Sequence, residues 1–200
     1  MKKLSTREFV LLSLLVAVLI VLGYVNIPQP AGLSITFNMI PVAIAAIAMG
    51  PLGGGIIGGA FGIISFLQCF GICGFSGMGA ALAGISPILA FVQRFFPRLI
   101  DGILLGFIYR FFQKKTRVYS GCAVTGFMAA FLNTLLFMTS LVWIFGGTEY
   151  MQNSMAGRGM LAYIVAAVGL NGVVEMLVST ILTGAVGSAL IKAGFIRARQ

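Results

Sequence analysis

Apolar stretches run at roughly 9–25, 37–50, 51–68, 91–112, 118–145 and 160–191, each separated from the next by charge, proline or glycine. A helix needs about 20 apolar residues to cross the hydrocarbon core of a bilayer. The pattern therefore predicts six transmembrane helices. The second and third meet at Gly50-Pro51, a helix stop followed by a residue that suits a helix start. The last two are longer than one crossing and are expected to tilt or to run into the interface.

Polar positions between the spans set the topology, because cytoplasmic loops hold the excess of Lys and Arg. Lys2, Lys3 and Arg7 precede the first span, Lys114, Lys115 and Arg117 separate the fourth and fifth, and Lys192, Arg197 and Arg199 follow the last. Six crossings put all three groups on one side. Both termini are expected to be cytoplasmic, with the 26–36, 69–90 and 146–158 connections outside. Tyr24, Trp143 and Tyr150 fall near the outer boundary, as interfacial aromatics do.

Composition narrows the class. With 60% hydrophobic residues, 8% charged and no histidine, the 200-residue chain predicts an all-α integral membrane protein, a single domain over 1–200 without a soluble unit. The basic start and apolar 9–25 stretch resemble a signal peptide, but no Ala-x-Ala-like site follows, so the stretch is expected to stay as the first helix. The net charge of +9 does not predict nucleic-acid binding, since the basic residues lie between spans rather than along one face. Cys69, Cys73 and Cys122 are too few and wrongly spaced for a zinc site, so they read as small apolar filler and no metal is expected.

The stretch "AMGPLGGGIIGGAFGIISF" (48–66) lacks the Lys-Ser/Thr pair that a phosphate-cradling loop requires. Its glycines recur four apart, at Gly50, Gly54, Gly58 and Gly62 and at Gly55 and Gly59. On a helix this makes a groove where another backbone can approach closely. The packing partner is either another helix of this chain or a partner subunit. The apolar but glycine-broken 69–90 connection must be buried in protein or line a cavity, which makes it a candidate lid or pocket wall.

Ionisable groups inside a span cost about 2.5–3.5 kcal/mol on insertion scales, so each needs a reason. Arg94, Arg98 and Asp101 share a face of the fourth span near its outer end, with Pro97 expected in an early turn. Asn133 lies in the fifth span, and Asn171 and Glu175 stand one turn apart in the sixth. One reading pairs Arg98 with Asp101, sends Arg94 to the headgroups and uses the rest as interhelical hydrogen bonds. The other gathers them into an outward-facing pocket with a basic mouth, suited to a small polar or anionic solute. Without histidine, a Ser or Cys beside a base, or paired carboxylates on one face, no catalytic residues are assigned. Transport or binding is the expected class.

The basic N-terminus with a small-xxx-small first helix, "TFNMIPVAIAAIAMGPLGGGIIGGAFGIISF", "FFPRLIDGILLGFIYRFFQKK" and "LNGVVEMLVSTIL", in this order over nearly the whole chain, resemble the substrate-specific subunits (S components) of energy-coupling factor (ECF) transporters. The resemblance implies a vitamin-binding subunit in a bacterial plasma membrane. Its partners would be the lipid bilayer, a transmembrane coupling subunit and two cytoplasmic ATPases. This chain itself would bind no cofactor, ATP being used by the ATPases. Ser13 and Ala17 match the docking motif of the first helix, with serine in place of the first alanine. The stretch around "TFNMIPVAIAAIAMGP" looks most like pantothenate-specific members. Arg94 or Arg98 would then meet the carboxylate, Gln93, Asn133 and Asn171 would read amide and hydroxyls, and Phe37, Asn38 and Glu175 complete the candidate set. Riboflavin is the alternative, with Phe37, Phe91, Phe95 and Trp143 stacking on its ring system. From other classes, a pore-forming protein such as a holin or a stand-alone secondary transporter competes. The polar groups on three successive spans and the absence of internal repeats argue against these.

Overall fold

The computed structural model describes residues 5–25, 27–28, 34–113, 117–155 and 159–196. Helix α1 (Thr6–Tyr24) is opened by a reciprocal cap in which Ser5 and Glu8 satisfy each other's backbone N–H groups. Short strands β1 (Ile27–Pro28) and β2 (Ser34–Ile35) pair antiparallel in the connection between α1 and the next helix. Helices α2 (Met39–Met49) and α3 (Pro51–Leu67) meet at Gly50, whose φ of +71° a side chain would disfavour, and Pro51 starts α3 as expected. A short 3-10 turn (Gln68–Phe70) leads to α4 (Gly77–Ile85), and α5 (Pro87–Gln113), α6 (Val118–Phe145), α7 (Glu149–Met155) and α8 (Met160–Lys192) complete the chain. All six apolar stretches are helices.

Four helical segments are long and apolar enough to cross a membrane: Thr6–Tyr24, Pro51–Phe70, Val118–Phe145 and Gly172–Lys192. The other two differ for physical reasons. Helix α5 has the length but carries Arg94, Arg98, Asp101 and Arg110. Helix α2, at 11 residues, rises only about 17 Å, roughly half the hydrocarbon thickness. It is buried over nearly its whole surface, and α1, α3, α5, α6 and α8 all pack on it. An apolar run without a polar face belongs at such a centre.

Three expectations change here. Pro97 is not in an early turn, because α5 starts at Pro87 and Pro97 lies in its interior. Lacking an N–H, Pro97 leaves the Gln93 carbonyl without its helical donor. The 69–90 connection is largely ordered, as a 3-10 turn and then α4. The excess length of α8 comes from a break, since Gly169 has non-helical backbone angles and joins two helical pieces. Of the basic residues used for topology, Lys2, Lys3, Lys114, Lys115, Arg197 and Arg199 lie outside the described residues.

The glycine stripe of α3 is filled from within the chain. A Cβ on Gly54 would meet the Gly102 carbonyl, one on Gly58 the Arg98 carbonyl, and one on Gly62 the Phe95 Cα at 2.9 Å. Thus α3 and α5 press backbone to backbone. Around this pair the apolar interior divides. An inner cluster joins Leu15, Leu19, Val42, Ile57, Phe61 and Leu105. An outer cluster joins Met78 and Leu82 of α4, Phe137, Leu141 and Phe145 of α6, and Met151 and Met155 of α7. Arg98 of α5 lies between the two, against Phe61 of one and Phe137 of the other.

Candidate functional site

Helix α5 carries Gln93, Arg94, Arg98 and Asp101 inward together, all of them buried. The one-face reading of their spacing is correct, but Arg94 does not reach for the headgroups. It is 4% exposed. Its Nη1 donates to Ser65 Oγ at 3.0 Å and its Nη2 to Ser76 Oγ at 3.0 Å. Ser76 is also the N-cap of α4, accepting from Gly79 N at 3.2 Å. Arg94 therefore spans α3, α5 and α4 and is no part of an open basic mouth.

Arg98 sits one turn further in. Its Cζ lies 4.7 Å from the Phe61 ring centroid and 5.0 Å from that of Phe137, so one aromatic ring from α3 and one from α6 pack against the guanidinium. Nη1 donates to the Arg94 carbonyl at 2.9 Å, while Nε has no partner. The Arg98–Asp101 hydrogen-bonded pair is not formed, and neither Asp101 oxygen has a partner. Side chains on a helix lean toward its N-terminus. Arg98 accordingly leans toward Arg94 and away from Asp101.

Other elements close around this core. Glu175 of α8 lies within electrostatic reach of Arg98, and its Oε1 accepts the Thr36 N–H at 2.7 Å. Asn38 holds the N-cap position of α2 but does not cap it; the side chain is 1% exposed with both polar atoms unpartnered. Gln93 is likewise buried with both amide atoms unpartnered, and the half-buried Asn133 leaves Oδ1 unpartnered. Phe37 is half-buried beside Asn38 in the chain. The side chain of Asn171 lies outside the described residues. Unpartnered buried amides and guanidinium nitrogens are expensive in isolation. A small polar solute that supplied the missing partners would relieve that cost.

The aromatic alternative does not assemble. Phe91 stacks on Phe95 at 5.1 Å and meets Phe66 edge-on, so these rings satisfy one another. Trp143 is 86% exposed and Tyr24 is also exposed, as interfacial positions suit, whereas Tyr150 packs against the outer cluster. Ser13 and Ala17 lie on the exposed face of α1, opposite buried Leu12, Leu15 and Leu19. Cys69 and Cys122 are buried and Cys73 half-buried, all three as free thiols. Among the described residues no cluster of three or more potential metal ligands occurs.

Ser65, Ser76, Phe61, Phe137 and Thr36 were not marked by the sequence. Two spacing signals existed: Ser65 follows Phe61 by four in α3, and Phe137 follows Asn133 by four in α6.

A family model described as "ECF transporter, substrate-specific component" matches residues 7–187. A protein named pantothenate transporter PanT from Leuconostoc mesenteroides is 28% identical over 197 residues, covering 95% of this chain and 92% of that protein. A pantothenic acid transporter PanT from Lactococcus lactis is 28% identical over 206 residues, covering 96% of this chain and 98% of its own length.

Proposed function

The chain belongs to the substrate-specific components of ECF transporters, and we propose on that premise that it captures pantothenate at the outer face of a bacterial plasma membrane. The family is one of transporter components and not of enzymes, and the helices make this a multi-pass membrane protein. In this reading six helices cross the bilayer, α2 doing so together with the segments that flank it, and both termini are cytoplasmic. The cargo passes inward with a transmembrane coupling subunit and two ATPases, which use the ATP. This chain needs no cofactor of its own. Ser13 and Ala17 form the docking face toward the coupling subunit.

One observation carries the substrate assignment. Two arginines, four residues apart in α5, are buried in the apolar interior, and Asn38 at the start of α2, Gln93 of α5 and Asn133 of α6 also present buried polar atoms without partners. Pantothenate supplies a carboxylate for a guanidinium and hydroxyl and amide groups for the rest. Both named relatives are pantothenate transporters, which supports the same substrate.

The test is to purify the protein in detergent, denature a sample and identify the released small molecule by mass spectrometry, followed by calorimetry with a vitamin panel. Pantothenate released or bound saturably is the expected result. Another vitamin would keep the transporter class and move the assignment. A protein that binds none of the panel would overturn the reading.

A further inference from the structure

The two arginines of the site are held differently, and we propose that they do different work: Arg98 meets the anionic group of the substrate, and Arg94 is a positioning residue that locks α4 onto α3. The inference rests on the pantothenate reading above.

A guanidinium recognises a carboxylate in its own plane, along an edge where two N–H groups point the same way. The Arg98 guanidinium has Phe61 and Phe137 packed over it. Within its plane, Nη1 is turned to the Arg94 carbonyl. The edge that includes Nε has no protein acceptor on that atom. This is the side on which a carboxylate can make two parallel hydrogen bonds, and the aromatic rings fix the plane in which it must arrive.

Arg94 has no comparable edge. Both its terminal nitrogens are engaged, Nη1 with Ser65 and Nη2 with Ser76, which leaves Nε as the single unpartnered nitrogen. A carboxylate on the Nε side would have to share Nη2 with Ser76. What Arg94 holds is the start of α4, because its acceptor Ser76 is also the helix cap. Gly79 leaves room for that guanidinium, since a Cβ there would stand 2.7 Å from Arg94 Nη2. Gly79→Ala is thus a way to disturb Arg94 without removing its charge.

The two roles separate with a pair of probes, pantothenate and pantothenol, the same molecule with its carboxylate reduced to an alcohol. Affinities of the purified full chain in detergent are measured by calorimetry. Wild type is expected to prefer pantothenate. Arg98→Gln lowers pantothenate affinity about 100-fold and leaves pantothenol within about threefold of wild type, so the preference collapses. Arg94→Gln and Gly79→Ala weaken both probes by the same factor and keep the preference, and Arg94→Lys, which can still reach one of the two serines, recovers part of the loss. Loss of the preference in Arg94→Gln with its retention in Arg98→Gln overturns the assignment, as does equal weakening of both probes by Arg98→Gln. If Arg98→Gln does not fold, Phe61→Leu, which uncovers one face of the guanidinium, must reduce the preference for pantothenate; an unchanged preference overturns the assignment. A wild type that binds neither probe overturns the pantothenate reading itself, whereas the other contrary outcomes leave that reading standing.

Discussion

The Thr36 backbone N–H donates to Glu175 Oε1 at 2.7 Å and so ties the chain just ahead of α2 to α8, across 139 positions of sequence. Thr36 directly follows β2, and Asn38 opens α2 two residues on. One carboxylate therefore ties the strand pair and the start of the central helix to α8. Glu175→Ala is expected to raise amide hydrogen exchange over residues 34–40 and to weaken ligand binding about tenfold, in line with losing one charge-assisted hydrogen bond of about 1.5 kcal/mol. Glu175→Gln keeps an acceptor and should retain most of the protection. Unchanged exchange in the alanine variant would remove the tie from the account.

The contact between α3 and α5 predicts a stability effect separate from binding. At Gly54 and Gly58 an added side chain meets backbone carbonyls, which cannot rotate away. Gly58→Leu should destabilise the detergent-solubilised protein by several kcal/mol, on the order of the worst overpacking substitutions, seen as a lowered unfolding midpoint. Gly147, with open space around it, is the control. Gly147→Ala should leave the midpoint within a degree or two.

Ser76 serves two partners, the Gly79 amide and Arg94 Nη2. Ser76→Ala removes a helix cap and a guanidinium acceptor at once. A cost of about 2–3 kcal/mol is expected. Protease accessibility should increase in the segment 71–86 and not in α6. Cleavage elsewhere, with that segment still protected, would contradict the linkage.

On the proposed docking face of α1, docking is expected to separate from capture. Ser13→Trp and Ala17→Trp place bulk on its exposed face, away from the buried Leu12, Leu15 and Leu19. Pantothenate binding by the isolated chain should be unchanged, while uptake by cells expressing the chain with its coupling module should fall to background. Normal uptake in both variants would sink the docking assignment.

Trp143 is the single tryptophan and stands 86% exposed near the C-terminal end of α6. In vesicles its fluorescence should be quenched by lipids brominated near the headgroup more than by lipids brominated at the chain ends, as an interfacial position requires. The reverse order would put that end of α6 at the bilayer centre.

Much of the fold was legible because apolar length alone marks a buried or lipid-facing helix, and Gly50-Pro51 marks a joint whatever surrounds it. The start of α5 was misread because two prolines competed for it. Pro87 after Ser86 forms the true start, and Pro97 is tolerated inside a helix whose carbonyl at Gln93 loses only one donor. The break in α8 left little trace, since Gly169 is one of 27 glycines. At the site, Arg94 and Arg98 stood out because charge is rare in an apolar span. Phe61, Ser65, Ser76 and Phe137 did not, being ordinary residues in a membrane helix whose importance arises only from the guanidinium each touches. The sequence also could not say which of two partners Arg98 would take, because that choice depends on the lean of side chains along a formed helix.

The backbone contact between α3 and α5 has a mechanical meaning. Phe61 and Ser65 are mounted on one helix and Arg94 and Arg98 on the other, and at Gly54 and Gly58 the two backbones meet with no side chain between them. The wall that these residues make in the proposed site then behaves as a single stiff panel. In the proposed reading, releasing a ligand from such a site calls for displacing the pieces hung around the panel, the strand pair with Thr36 and the α4 segment, rather than the two arginines.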